Sequence, residues 1–382
     1  MQLQNFLPLV ILIFFVSLSF LFFRSSSDDQ VQNQERDLYL DGVRGLAAIA
    51  VVATHFWRLA AQGINYTFDF ALRENYGSLA VQVFFCITGL LFFGQMYSKS
   101  GAFDWSKFYT SRFRRIVPAY IAYFLLNVTV ICMVGDWSAF KTTQIYHLLD
   151  MAFFGLKGNG NDFYAFGIEI DRFFSVIWTL AYEVKFYLAF PLIVWASFTK
   201  HGDKLALPFG AVLVAYELIV TGTTFAGYFL IGALSAKHLR HLHFNKKIRL
   251  GFSALSVIAL YLSLAYDYSP YGWERYLITA ALFSSIVVAR PKLMTLRPFT
   301  ALGDMSYSVY LVHAPLLMLS GFALKHLIAR APASDAQFAL ITFCATALVF
   351  FISHLSYRYV ELPFLRKSPS SKATLAGQVK SF

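Results

Sequence analysis

Charged residues are scarce in this sequence, and apolar residues are abundant. Only 14% of the 382 residues are charged, whereas 58% are hydrophobic and 18% are aromatic. A soluble domain of this length could not bury so much apolar surface, so the composition predicts a polytopic membrane protein. We expect the net charge of +11 to report which loops face the cytoplasm and not to indicate a nucleic-acid partner.

Cysteine and the common cofactor motifs are also rare or missing. Cys86, Cys132 and Cys344 fall in apolar runs at unrelated spacings, which excludes a disulfide framework and predicts small buried side chains. The sequence has no metal-binding signature, no G-x-S-x-G elbow, no Walker loop, no dinucleotide fingerprint and no internal repeat. We therefore expect no metal ion and no permanently bound cofactor.

Long apolar runs are what the sequence has in quantity. A bilayer core of roughly 30 Å needs about 20 apolar helical residues. Spans are predicted near residues 5–23, 43–60, 79–97, 115–134, 174–198, 205–221, 223–236, 250–266, 275–289, 303–326 and 337–357. The predicted fold class is an all-α polytopic membrane protein.

Basic residues recur in alternate loops, and this pattern predicts the topology. By the positive-inside rule the amino terminus lies outside and the carboxyl terminus in the cytoplasm. The first run has no basic n-region and no A-x-A site, so we interpret it as an uncleaved anchor and not as a signal peptide. The predicted division is a transmembrane anchor 1–24, a cytoplasmic linker 25–38, a ten-span domain 39–366 and a cytoplasmic tail 367–382.

The stretch YLDGVRGLAAIAVVATHF, residues 39–56, carries Arg44 at its start and His55 deep within the apolar run. Eleven residues are almost three helical turns, so both side chains lie on one face, about 16 Å apart. Ionisable residues inside spans are functional candidates, but a surface anchor and a histidine satisfied by a neighbouring helix explain this pair equally well. Gly42 and Gly45 favour close approach of either a ligand or a helix.

Two other spans carry charged residues. Arg112 and Arg115 share a helix face at a membrane surface, where paired guanidinium groups suit the phosphates of a ligand or of lipid headgroups. Glu183 lies deep in the run VIWTLAYEVKFYLAFPL, where a carboxylate needs a partner. The partner is either His55 or an arginine of another helix, and the pair either takes part in chemistry or is only a structural ion pair between helices.

A polar stripe crosses a later span. Ser306, Tyr310 and His313 are spaced i, i+4 and i+7 on an otherwise apolar helix. Such a stripe either lines a site or holds helices together. Arg358 and Glu361 mark the exit of the last span, which favours a structural role.

The motifs, taken in order, resemble the acyltransferase family 3 membrane proteins over about residues 36 to 366. LDGVRGLAAIAVVATH is similar to the first-span motif of that family, in which an arginine and a histidine are separated by ten residues. FFCITGLLFF resembles its second-span phrase, RFRRIVPAY its paired-arginine motif, and MSYSVYLVHAPLL and YRYVELPF its closing motifs.

IWTLAYEVKFYLAFPL resembles the W-S-L-x-x-E signature of the family, with Trp178 and Glu183 at the matching positions. The sequence departs from the pattern twice: no proline precedes Trp178, and Lys185 follows Glu183. Both departures affect helix shape or acceptor recognition.

The resemblance implies a ten-span acyltransferase core with one extra N-terminal transmembrane helix, located in a bacterial inner membrane. It implies transfer of an acyl group, acetyl first of all, from cytoplasmic acyl-coenzyme A as co-substrate to a hydroxyl of an extracytoplasmic sugar or glycolipid. O-antigen of lipopolysaccharide and exopolysaccharide are the acceptors expected on family grounds. No esterase-like domain is fused to the core, so we expect it to act alone; a homodimer is one option for its oligomeric state.

The resemblance also assigns roles to particular residues. His55 is the expected general base, with a transient acyl carrier as the alternative, and Glu183 orients it. The expected phosphate ligands of the donor are Arg44, Arg112, Arg115 and Arg358. The expected acceptor or oxyanion residues are Tyr182, Trp178, Tyr310 and His313, with the outer loop 135–172 as an acceptor platform.

One function from another class also fits the spans and the buried charges. A non-enzymatic exporter or transporter of glycans or small molecules would share both, although such proteins often show internal repeats. The sequence leaves open the acyl group, the acceptor and the role of the extra N-terminal helix.

Overall fold

A computed structural model describes residues 7–23, 36–56, 70–156, 164–169, 171–200, 202–327 and 335–366. Within these ranges the regular structure is helical apart from one hairpin of two-residue strands, β1 (Tyr164–Ala165) and β2 (Ile168–Glu169). The predicted all-α class is therefore confirmed. Most of the predicted linker, the predicted tail 367–382 and residues 157–163 of the proposed acceptor loop lie outside the described residues.

Each predicted span corresponds mainly to one helix. In chain order the α-helices are α1 (Leu7–Phe23), α2 (Leu38–His55), α3 (Phe70–Ser98), α4 (Trp105–Val134), α5 (Ile145–Ala152), α6 (Asp171–Phe174), α7 (Ile177–Ser197), α8 (Gly202–Thr221), α9 (Ala226–His238), α10 (Lys246–Ala265), α11 (Trp273–Ala289), α12 (Arg297–Asp304), α13 (Ser306–Leu327), α14 (Asp335–Ser356) and α15 (Leu362–Arg366). A π-helical turn, Tyr357–Glu361, joins the last two.

Eight of the described helices are long and apolar enough to cross a membrane by themselves. The other three predicted spans are the shorter helices α1, α9 and α11, of 17, 13 and 17 residues. At 1.5 Å per residue, α9 covers only about 20 Å of a hydrocarbon core of roughly 30 Å. Its residues Gly227 to Ala236 are largely buried, and a Cβ at Gly232 would strike the backbone of α3, so α9 is supported by its neighbours.

The helix α2 contacts four other helices, α1, α3, α12 and α13. Gly42 and Gly45 face the backbone of the segment that leads into and forms α12, and a Cβ at Gly45 would lie 2.7 Å from the amide nitrogen of Gly303. The close approach left open by the sequence is therefore made by a helix. Small residues let the two backbones meet without intervening side chains.

The extra N-terminal helix α1 packs against the core. It contacts α2, α12 and α14, its residues Ile11 and Phe15 are buried, and the rings of Phe15 and Phe350 lie 5.3 Å apart. The Ser19 hydroxyl donates a 2.8 Å hydrogen bond to the Pro298 carbonyl oxygen. Within the described residues α1 is thus part of the helix bundle.

The described loops collect at two ends of the bundle. At one end Asp37, just before α2, pairs with Arg240 at 2.7 Å, and the Arg249 guanidinium donates to the Ala289 carbonyl oxygen. At the other end Asn75 of α3 donates to the Tyr266 carbonyl oxygen after α10. Two of the predicted basic loops, around Arg240 and Arg290, therefore meet at one end; the alternating topology and the membrane face of this end stay predictions.

Of the three cysteines, only Cys86 is buried; Cys132 is half-buried and Cys344 is exposed on α14, and all three are free thiols. The prediction of buried side chains is wrong for Cys344. An apolar run gives no information about which of its residues faces outward in a membrane protein, since lipid solvates an apolar surface as well as the core does.

The close contact between α2 and α12 generates a stability prediction. Gly45→Ala places a Cβ against the backbone of Gly303, so the helices must separate, which costs about 1 to 3 kcal/mol or more. The control is Gly251→Ala on α10, where a Cβ meets open space. We expect thermal unfolding in detergent to occur at a lower temperature for Gly45→Ala only. Equal melting temperatures for the two variants would contradict the contact.

Candidate functional site

The helix α2 is continuous from Leu38 to His55, which confirms that Arg44 and His55 belong to one helix. Both side chains are half-buried. The α2 end that meets the basic loops carries Arg44, and the opposite end carries His55. One rigid element therefore sets the separation of the two residues.

A cavity of about 130 Å³ lies beside Arg44 and is bounded by α2, α3, α4, α7 and α13. Its charged lining consists of Arg44, Arg112, Arg115 and Glu183. The structure thus brings together four of the residues that the sequence singled out, from three different helices. With three guanidinium groups and one carboxylate, the lining has an excess of positive charge.

Arg112 presents an unused donor to this cavity. Its guanidinium carbon lies 5.2 Å from the centre of the Phe92 ring, and its Nε is buried without a hydrogen-bond partner among the described residues. Leaving a buried charged donor unpaired is costly, since it forfeits the hydrogen bond that water would have made. The guanidinium group of Arg112 therefore keeps one donor that none of the described residues uses.

Asp41 is a functional candidate that we missed in the sequence. Its buried carboxylate pairs with the Nε of Arg36 at 2.7 Å and with a terminal nitrogen of Arg44 at 3.6 Å. Asp41 thereby restricts where the Arg44 guanidinium can lie. The available signal was the i, i+3 spacing of the two opposite charges in the stretch LDGVRG.

Glu183 lies among the arginines of the cavity. The Tyr187 hydroxyl, one turn along α7, donates a hydrogen bond to the Glu183 carboxylate, and Arg44 is close enough to interact with it electrostatically. The Tyr187 ring stacks on Phe92 at 5.0 Å, the same ring that contacts Arg112. Of the partners left open for Glu183, an arginine is the one that this arrangement favours.

His55 meets a second histidine. Its Nδ1 lies 2.9 Å from Nε2 of His313, and the two rings are stacked with centroids 5.0 Å apart. His313 is fully buried on α13. The polar stripe of α13 therefore joins two features, because Ser306 and Tyr310 line the cavity while His313 contacts His55.

Tyr310 connects the cavity to the histidine pair. Its hydroxyl donates to the Val176 carbonyl oxygen at 3.0 Å and also bonds to the Thr179 hydroxyl. Its ring lies 6.1 Å from the His313 ring. Thr179, which also lines the cavity, was not predicted, because a lone threonine at the start of a span carries no signal of its own.

Five predicted site residues do not line this cavity: the two histidines described above, and Trp178, Tyr182 and Arg358. Trp178 and Tyr182 belong to an aromatic cluster with Phe225, in which Trp178 is 39% exposed and the ring centroids of Tyr182 and Phe225 lie 4.6 Å apart. Arg358 is exposed on the π-helical turn, with its guanidinium 6.0 Å from the Tyr359 ring centre. Their predicted roles stay predictions.

The described part of the predicted outer loop folds back on itself. Phe166, at the tip of the hairpin, is buried and stacks on Phe140 at 4.9 Å, and its carbonyl oxygen accepts from the Asp136 amide at 2.7 Å. Trp137, by contrast, is 60% exposed. Among the described residues no group of three His, Cys, Asp or Glu side chains is arranged to hold a metal ion.

Comparison with known proteins identifies the family. The Acyl_transf_3 family model, described as "Acyltransferase domain", matches residues 37–358. The chain is 25% identical over 388 residues to "O-acetyltransferase OatA" of Staphylococcus aureus, in an alignment that covers 90% of this chain and 60% of the relative. It is 25% identical over 380 residues to "Peptidoglycan O-acetyltransferase OatA" of Listeria monocytogenes, with 86% and 56% covered.

The chain therefore spans about three fifths of the length of these relatives. No solved structure gives a significant match. The matched residues include all four charged residues of the cavity as well as both histidines. This chain is a member of the acyltransferase 3 family of integral membrane proteins.

Proposed function

We propose that this protein is an acyl-coenzyme A-dependent O-acyltransferase that moves an acetyl group from the cytoplasm to a hydroxyl of an extracytoplasmic carbohydrate. The observation that carries the proposal is the cavity formed by Arg44, Arg112 and Arg115, with the histidine pair further along α2. The names of the relatives, both O-acetyltransferases, support acetyl as the transferred group.

The arginines fit the anionic part of the donor. Coenzyme A carries phosphates on a nucleotide and ends in a long flexible arm with the thioester. One planar guanidinium group can bind two phosphate oxygens at once. The buried Nε–H of Arg112 is a donor without a partner among the described residues. A cavity of about 130 Å³ is smaller than ordinary ligand pockets, so it takes the arm while the nucleotide stays at the mouth.

The histidine pair fits the transfer step. The neutral imidazole of His55 removes the proton from the acceptor hydroxyl as the oxygen attacks the thioester carbonyl. The carbon–sulfur bond then breaks, and the coenzyme A thiolate leaves with the proton that His55 returns. Tyr310, which lines the cavity, stabilises the oxyanion in this step by exchanging its hydrogen bond to the Val176 carbonyl oxygen for one to the oxyanion.

The acceptor is proposed only as a class. A glycan of the cell surface supplies hydroxyl groups on the outer side, and peptidoglycan, O-antigen and exopolysaccharide all belong to this class. One relative is named as a peptidoglycan O-acetyltransferase. The exposed ring of Trp178 offers an apolar face of the kind on which sugar rings stack.

The proposed reaction predicts thiol release by the purified protein. In nanodiscs with acetyl-coenzyme A and a glycan acceptor, we expect free coenzyme A to appear only when the acceptor is present, and mass spectrometry of the glycan should show added acetyl groups. His55→Ala should reduce the rate by on the order of 10² to 10⁴.

The matched control for this assay is His354→Ala, a histidine of α14 whose ring packs against Phe22 and Phe23. It should release thiol at the wild-type rate. Glycan transport into liposomes without acyl-coenzyme A, together with no thiol release, would contradict the proposed enzymatic function and support a transporter.

The donor site generates a second prediction. Arg112→Gln and Arg115→Gln each remove a charged hydrogen-bond donor, and such bonds contribute about 1.5 to 3 kcal/mol. We expect each change to weaken binding of acetyl-coenzyme A about 10- to 100-fold in isothermal titration, with a smaller effect on acceptor KM. Arg114→Gln, on the same helix but outside the cavity lining, is the control. Unchanged donor affinity in both cavity variants would place the phosphates elsewhere.

A further inference from the structure

The contact between His55 and His313 determines which ring nitrogens carry protons. The Nδ1 of His313 lies 3.0 Å from the carbonyl oxygen of Val309, four residues earlier on the same helix. A carbonyl oxygen only accepts hydrogen bonds, so this Nδ1 carries the hydrogen and donates it. In the neutral ring the other nitrogen, Nε2, then holds a lone pair.

The protonation of His55 follows from that of its partner. The Nδ1 of His55 lies 2.9 Å from Nε2 of His313, and only one of these two nitrogens can donate. Because Nε2 of His313 accepts, the Nδ1 of His55 must carry the hydrogen. The basic nitrogen of the neutral His55 ring is therefore Nε2.

We propose that His313 is a positioning residue that fixes the tautomer and the orientation of His55, so that Nε2 of His55 is the proton acceptor of the reaction. This inference rests on the proposed function and adds to it a hydrogen-bonded chain from Val309 through His313 to His55. The role differs from the acceptor or oxyanion role that the sequence suggested for His313.

The environment explains why an imidazole serves here better than a carboxylate. His313 is fully buried within a membrane-spanning helix, where an ionised aspartate would need a second partner to offset its desolvation. A neutral imidazole accepts the same hydrogen bond at lower cost. When His55 takes the proton of the acceptor hydroxyl, its Nδ1–H bond to His313 becomes charge-assisted and stronger, which stabilises the imidazolium.

Three substitutions separate this role from simple packing. In His313→Gln the side-chain oxygen takes the place of Nε2 and can still accept from His55. In His313→Asn the shorter amide takes the place of Nδ1, bonding to Val309 without reaching His55, and His313→Leu removes both contacts. We expect His313→Gln to retain kcat within about tenfold, whereas Asn and Leu lower it by on the order of 10² or more, with unchanged Kd for acetyl-coenzyme A.

A packing role predicts a different outcome, in which Gln and Asn behave alike or donor binding is lost with activity; either result overturns the proposal. A wild-type protein that releases no thiol would instead refute the proposed function, so the two failures are distinguishable.

A second measurement needs no variant of His313. In the full-length protein labelled with nitrogen-15 at histidine, the signals of His55 are assigned as those missing from the His55→Ala spectrum. We expect the chemical shifts of a ring that carries its hydrogen on Nδ1 and has no hydrogen on Nε2. The opposite tautomer for His55 would refute the proposal whatever the variants do.

Discussion

The cost of placing charge inside a bilayer is the constraint on which this structure depends. A guanidinium group at membrane depth must have partners, water or a ligand. Here Arg44 is held by Asp41, Asp41 is held in turn by Arg36, and Arg36 also pairs with Asp304 at the end of α12. The ionic network therefore fixes α2 against α12, and the same α2 carries His55 to the other end of the site.

This constraint also explains why the arginines and the histidines of the site lie in different places. The arginines gather around one cavity near the end of the bundle where the basic loops meet, and there an anionic ligand would complete their hydrogen bonding. Beyond the arginines, the described hydrogen bonds of the site join two imidazoles, the Tyr310 hydroxyl and helix carbonyl oxygens. In the proposed function, the charged headgroup of the donor stays near one surface while its uncharged thioester reaches deeper.

Much of the fold could be predicted because length and periodicity carry the information. Each predicted span corresponds to a helix. The predicted gap between spans 205–221 and 223–236 is also present, because Gly222, with a positive φ of 70°, separates α8 from α9. The shared helix of Arg44 and His55 and the stripe from Ser306 to His313 were predictable for the same reason, since a period of 3.6 residues determines which side chains share a face. Periodicity does not determine which other helix that face meets.

The contacts that could not be predicted are those between distant helices. His55 and His313 are 258 residues apart, and nothing in either motif favours the other as partner. Glu183 was equally compatible with a histidine or an arginine, and the packing of α7 beside α4 placed it among the arginines. The role of Asp41 depends on Arg36, which lies in a segment that the sequence marked only as linker. The family resemblance identified the candidate site residues, and the structure showed which of them are in contact.

In the proposed function, the donor enters at the arginines and presents its thioester to the histidine pair. A cryo-electron microscopy structure with a non-transferable thioether analogue of acetyl-coenzyme A tests it most directly. We expect phosphate density against Arg44, Arg112 and Arg115, with the arm running along α2 and the sulfur in contact with His55. An analogue bound with its phosphates away from these arginines, or with its sulfur outside the reach of His55, would contradict it.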